Sequence, residues 1–174
     1  MGGSGIKYLR YAPRVISKRG ASPLYFVFFV TERCNAHCRH CLLGERDGRA
    51  APPELTIDEI ERVSAGMDDM LFFTPTGGEP FLRPDLAEIV RIFRANNHAL
   101  NVGIPTNGSL TGRVVTTVRR ILTENPGLDL HIDISLDGPP TVHDAVRGVP
   151  GLYERALETY RELRALERAH PNLS

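Results

Sequence analysis

"LDLHIDISLDG", Leu128–Gly138, alternates apolar and polar residues almost without interruption. Leu130, Ile132, Ile134 and Leu136 fall on one side, and His131, Asp133, Ser135 and Asp137 on the other. A period of two marks a strand with one apolar and one polar face. Inner strands of a doubly wound parallel sheet are buried on both faces and read as continuous apolar sequence. A polar face on such a strand suits an open αβ barrel whose interior admits a ligand. The plain alternative is a solvated edge.

Working outward, the chain supplies the units of a parallel sheet. "YFVFFV" (Tyr25–Val30) reads as a first strand, and a Gly- and Pro-rich loop follows over Gly44–Glu54. Thr56 and Glu59 form a capping-box signature that opens a helix toward Asp69. "MLFFTPT" (Met70–Thr76) is the second strand and runs into "GGEP" (Gly77–Pro80). Leu86, Ile89, Val90 and Phe93 recur at helical spacing behind Pro84. "ALNVGIP" (Ala99–Pro105) is the third strand, with Asn101 and Gly103 opposite Leu100, Val102 and Ile104. A third helix carries Val114, Val115, Val118, Ile121 and Leu122, and Asn125–Gly127 stops it. A last helix is expected over Leu152–Ala169. Strands alternating with helices predict right-handed βαβ units. Residues 1–22 read as an N-terminal extension and 23–174 as the core.

Composition excludes several classes. With 174 residues the chain is about one domain long, and its 41% hydrophobic and 24% charged residues are ordinary for a globular protein. Twenty-one basic residues balance twenty-one acidic ones, so no strong field draws it to nucleic acid or an anionic membrane. The longest apolar run, Leu24–Val30, is too short to span a bilayer. The first twenty residues lack the apolar core of a secretory signal.

All three cysteines stand in "TERCNAHCRHC", Thr31–Cys41. Their odd number and close spacing do not suit a disulfide framework, and a cytoplasmic, reducing location is expected. Thiolates at C-x3-C-x2-C spacing can share one soft-metal centre. Iron–sulfur clusters usually take four cysteines, so Cys34, Cys38 and Cys41 would leave one iron an open coordination position. A second reading is zinc held by the three thiols and His37 or His40. A third is three buried, inert thiols. Every unusual motif follows a strand: the cysteines the first, "GGEP" the second, "TNG" (Thr106–Gly108) the third and "SLDG" (Ser135–Gly138) the fourth. Parallel αβ folds gather ligands at that end.

With these motifs in this order, the sequence resembles the radical S-adenosylmethionine enzymes over roughly Leu24 to Leu166. That family carries C-x3-C-x2-C after the first strand of a partial (βα)6 barrel and a "GGEP"-like methionine-binding segment after the second. The residue before the last cysteine is often aromatic there and is His40 here. The resemblance implies that Cys34, Cys38 and Cys41 ligate a [4Fe-4S] cluster whose fourth iron takes the methionine end of S-adenosylmethionine. Gly77 and Gly78 would let backbone approach that ligand, and Glu79 would accept from its amino group. Asn107 would line the same mouth. Ser135 and Asp137 would meet the ribose hydroxyls or the carboxylate, although Asp137 also reads as a turn residue.

The implied reaction is reductive cleavage of the cofactor to a 5′-deoxyadenosyl radical, fed by a flavodoxin- or ferredoxin-type donor. Ser135–Leu157 resembles the SPASM branch, which modifies peptides and peptide-derived cofactors, and Arg147 there could hold a carboxylate. A peptide substrate follows from that likeness. Two other classes compete: a zinc-stabilised binding module, and a non-catalytic fragment. Four βα units against the family's six predict a truncated barrel. Its fourth strand is expected to be an unpaired edge open to self-association.

Overall fold

The computed structural model describes residues 6–9, 11–17, 22–44 and 52–174. The loop read at Gly44–Glu54 lies mostly outside them. Strands β1 (Tyr25–Thr31), β2 (Phe72–Gly77), β3 (Asn101–Thr106) and β4 (Asp129–Ile134) form one sheet in the order β1-β2-β3-β4, every pair parallel. Helices α3 (Ile57–Ala65), α4 (Leu86–Asn97) and α5 (Thr111–Glu124) make the crossovers, and α7 (Leu152–Glu167) packs beside α5. The result is a partial αβ barrel.

The period-two pattern decides which face the helices cover. Val30, Phe73, Val102, Ile104 and Leu130 are buried in one core, and Phe26, Phe28, Ile132 and Ile134 pack against it. Val90, Phe93, Val114, Val118 and Ile121 close that core from the helices. The Phe73 and Phe93 rings stack at 4.2 Å between centroids. Truncating either to Ala costs about 3–5 kcal/mol in transfer and cavity terms. On the uncovered face stand Tyr25, Val27, Phe29 and Phe72, all exposed, with Thr74, Gly103 and Asp133 beside them.

Local signals set the helix ends. Thr56 and Glu59 form the expected capping box, the Thr56 N–H donating to Glu59 Oε2 at 2.8 Å. Gly66 ends α3 four residues short of Asp69 by donating to the Arg62 and Val63 carbonyls. Asn125 ends α5, its backbone and side chain both donating to the Ile121 carbonyl.

Three features depart from the sequence reading. Helix α6 (Pro140–Arg147) fills a stretch that showed no helical stripe. Two short helices, α1 (Ile6–Leu9) and α2 (Ala12–Ser17), precede the sheet and close its base. Tyr8 donates to Asn101 Oδ1 and Tyr11 to the His98 carbonyl. Asn101 is therefore 4% exposed instead of facing an open interior. The third departure corrects the bare β4 edge. Leu130 and Ile132 donate to the Asn172 and Ser174 carbonyls at 2.9 Å each, and the Ser174 N–H returns to Leu130. Residues after α7 thus lie parallel along β4 and satisfy part of its outer row.

Candidate functional site

The loops leaving β1, β2 and β3 share one cavity of about 270 Å³. Cys34, Cys38 and Cys41 line it from the first loop, Gly77 and Gly78 from the second, and Asn107 from the third. Ser135, just past β4, and Arg147, at the end of α6, complete the wall. Gly77, Gly78, Asn107 and Ser135 are thereby brought together with the cysteines. Glu79 and Asp137 are not on the lining.

Glu79 is 1% exposed and points between loops. Its Oε1 accepts from the Thr106 hydroxyl at 2.9 Å and the Phe81 N–H at 3.2 Å, while Oε2 accepts from the Asn107 N–H at 2.7 Å. The acceptor that the sequence assigned to a ligand amine already holds three donors of the protein. Burial pushes its carboxyl above the ordinary range, with the hydrogen bonds from Asn107, Thr106 and Phe81 acting the other way.

The glycines also have a reason that lies inside the protein. Gly78 and Glu79 donate backbone N–H groups to the Thr31 and Arg33 carbonyls at 2.9 and 2.8 Å. A Cβ on Gly78 would sit 2.2 Å from the Arg33 oxygen, and one on Gly77 1.9 Å from the Thr31 oxygen. Gly77 further adopts φ +139, which L side chains rarely take. What needs the missing side chains here is the segment that feeds the cysteine loop.

A second bridge runs through amides. Asn107 Nδ2 donates to Asn35 Oδ1 at 2.8 Å, Asn35 Nδ2 to Ser109 Oγ at 2.8 Å, and the Ser109 N–H to Asn107 Oδ1 at 2.9 Å. Asn35 follows the first cysteine, so the third loop holds the cysteine loop through a closed ring of polar contacts. The far side of that loop rests on α6. His37 and Arg39 donate backbone N–H groups to the Arg147 and Val146 carbonyls, both at 2.9 Å. Those carbonyls belong to a helix C-terminus and have no intrahelical partner.

Asp137 lies outside the cavity and anchors Arg147. Nε and Nη2 of Arg147 contact the two carboxylate oxygens at 2.5 and 2.9 Å, and Nη1 lies 3.7 Å from Cys38 Sγ. The guanidinium holds the Asp137 carboxyl below its usual range. Burial pushes the Cys34 thiol up, opposed by the Ala36 N–H that donates to its sulfur at 3.4 Å.

Among the described residues no three His, Cys, Asp or Glu side chains converge tightly enough for one metal ion. The three free thiols line the same cavity. Three thiolates on one cavity are the donor set that a cluster with one open iron position takes. Sequence reasoning missed Thr76 and Pro105 as lining residues, although both close strands already identified.

The chain is 29% identical over 151 residues to the AdoMet-dependent heme synthase of Oleidesulfovibrio alaskensis, covering 83% of this chain and 36% of that protein. It is 34% identical over 164 residues to the mycofactocin maturase MftC of Mycobacterium tuberculosis, covering 88% and 38%. The crystal structure of Streptococcus suis SuiB bound to precursor peptide SuiA superimposes with a TM-score of 0.59 at 21% identity, over 91% of this chain and 35% of that one. The chain thus spans well under half the length of these proteins. Residues 28–169 match the family model described as Radical SAM superfamily. The chain belongs to that superfamily, whose members use a [4Fe-4S] cluster and S-adenosylmethionine.

Proposed function

We propose that this chain forms the cluster- and cofactor-binding portion of an enzyme that cleaves S-adenosylmethionine reductively and abstracts hydrogen from a peptide or peptide-derived substrate. The observation that carries the reading is the single cavity shared by Cys34, Cys38, Cys41, Gly77, Gly78 and Asn107. When bound, cluster and S-adenosylmethionine supply carbon–sulfur cleavage and the radical that takes hydrogen.

The chain's own residues hold and shape the site. Three thiolates ligate iron. Backbone at Gly77 and Gly78 presents polar groups to the methionine end, while Glu79 fixes that backbone against Thr106 and Asn107. Ser135, which lines the cavity, would meet a ribose hydroxyl or carboxylate. Asp137 acts through Arg147, its ion-pair partner.

Mycofactocin maturase and the PqqA peptide cyclase of Rhodopseudomonas palustris, 33% identical over 151 residues, support a peptide substrate. The uncovered sheet face, with exposed Tyr25, Val27 and Phe29, offers apolar surface beside the cavity. A flavodoxin- or ferredoxin-type protein would supply the electron, and an oxygen-sensitive centre suits the cytoplasm. Residues 23–174 are read as the core portion and 1–22 as an N-terminal extension. Self-association through β4 loses part of its ground, because Asn172–Ser174 already pair there.

Anaerobic reconstitution with iron and sulfide tests the reading. The expected product is brown, holds four irons per chain and binds S-adenosylmethionine, and replacing any one of the three cysteines with Ala abolishes it. A colourless protein with stoichiometric zinc would overturn the assignment.

A further inference from the structure

Helix α6 meets the cysteine loop around the middle cysteine. Two backbone N–H groups flanking Cys38, those of His37 and Arg39, end on the last carbonyls of α6. Gly148, at φ +66, follows that helix so closely that a Cβ there would lie 2.8 Å from the His37 oxygen. Between these contacts the Arg147 guanidinium, 13% exposed, reaches Cys38 Sγ with Nη1. Its other edge is spent on Asp137, whose own N–H donates to the fully buried His143. A guanidinium offers five donors in a fixed plane, so occupying Nε and Nη2 aims Nη1. The arrangement is a cation held at one sulfur by an anion behind it.

We propose that Arg147 is a positioning residue that sets the reduction potential of the cluster through Cys38, and that Asp137 moderates its effect. The inference rests on the cluster assignment above. Reduction adds negative charge to a cluster, and hydrogen bonds to its sulfurs together with nearby charge are what a protein uses to tune that step. A cation donating to Cys38 stabilises the reduced form and raises the potential. The Asp137 carboxylate, on the far edge of the same guanidinium, offsets part of that charge. Of the three cysteines, Cys38 is the one that Arg147 reaches with Nη1, so the effect enters through that thiolate.

The test is an anaerobic redox titration with dithionite, followed by EPR, on the reconstituted full chain without added S-adenosylmethionine. Iron content and visible absorption are measured first. R147Q, which removes the cation, is expected to keep four irons per chain and shift the midpoint potential negative. D137N, which removes the offsetting anion, is expected to shift it positive. A purely structural clamp predicts no such opposition, because both substitutions loosen the same contact. Potentials that stay at the wild-type value, or move in the same direction, would overturn the proposal while leaving the cluster assignment intact. If R147Q fails to assemble a cluster, the sign of the D137N shift decides alone: positive supports the proposal, and zero or negative defeats it. A wild-type chain that takes up no cluster defeats both readings.

Discussion

The carboxylate of Glu79 accepts the backbone N–H of Asn107 at 2.7 Å, joining the loop after β2 to the loop after β3 from a position 1% exposed. The same side chain takes the Thr106 hydroxyl and the Phe81 N–H. Removing one acceptor therefore strands three donors in the interior. Glu79→Ala is expected to cost at least about 3 kcal/mol, since each stranded buried group costs about 1–3 kcal/mol. Chemical denaturation of the metal-free protein measures it, with iron uptake falling in parallel.

Glu79 also gives a pH dependence of known sign. Its folded carboxyl titrates above the ordinary value of 4.5, mainly because burial penalises the charge. A group raised in the fold contributes stability that is present below the unfolded value and lost as pH rises through the folded one. Carboxyls held low by arginine, such as Asp85 and Asp137, act in the opposite sense. The difference between wild type and Glu79→Gln isolates the Glu79 contribution. From pH 4.5 upward the Gln variant should gain relative to wild type, whatever the constant offset from its altered hydrogen bonds. A difference that is flat with pH would contradict the burial argument.

Gly78→Ala is expected to impair iron uptake and stability together. Its Cβ would meet the Arg33 carbonyl oxygen at 2.2 Å, and that carbonyl belongs to the residue before Cys34. Main chain on both sides leaves little room to give. Iron per chain after reconstitution, read beside the thermal midpoint of the metal-free protein, checks it. Normal iron content with only weaker S-adenosylmethionine binding would mean that the ligand, not the Glu32–Arg33 backbone after β1, is what the glycine accommodates.

The Asn35–Asn107 contact predicts coupling between loops remote in sequence. Single Ala substitutions at either position break the ring that also includes Ser109. Because they share partners, the double variant should cost less than the sum of the singles, with an interaction energy of about 0.5–3 kcal/mol. Strict additivity in denaturant melts would show that the ring carries no energy.

How far the sequence reached depended on the range of the interaction. The Thr56–Glu59 capping box, the Val114–Leu122 stripe and the β4 alternation are local or periodic signals, and each has its counterpart in the structure. Helix α6 left no comparable stripe, being eight residues long. Its flanks nonetheless held a signal, with Pro140 at the first position and Gly148 just past the end. The burial of Glu79 and the clash that excludes a side chain at Gly78 depend on loops brought together by the sheet. No spacing within "GGEP" encodes them. The same holds for Asn172–Ser174, whose pairing with β4 follows only once α7 has returned the chain to the sheet.

Arg83 makes the last prediction, and it concerns what holds the site's floor together. The side chain is 4% exposed and donates in three directions. Nη1 reaches the Val30 carbonyl at 2.6 Å, and Nη2 the Leu55 carbonyl at 2.6 Å. The fork formed with Nε grips Asp85, the residue before α4, at 2.7 and 3.1 Å. One guanidinium thus ties the end of β1, the approach to α3 and the start of α4. Arg83→Ala removes the cation from Asp85 and the donors from the Val30 and Leu55 carbonyls; because Asp85 is 31% and Leu55 39% exposed, water takes up part of the loss and the cost is about 2–3 kcal/mol. Arg83→Lys keeps the charge but cannot span these partners with a single ammonium, so it should recover only part of that loss. Asp85 supplies an independent check. Arg83 holds its carboxyl below the ordinary value, so its share of stability is present above that value and vanishes as pH falls through the lowered one. Denaturant midpoints of wild type and Arg83→Ala should therefore converge on acidification. Midpoints that remain equally far apart at low pH would assign the role of Arg83 to the two carbonyls alone.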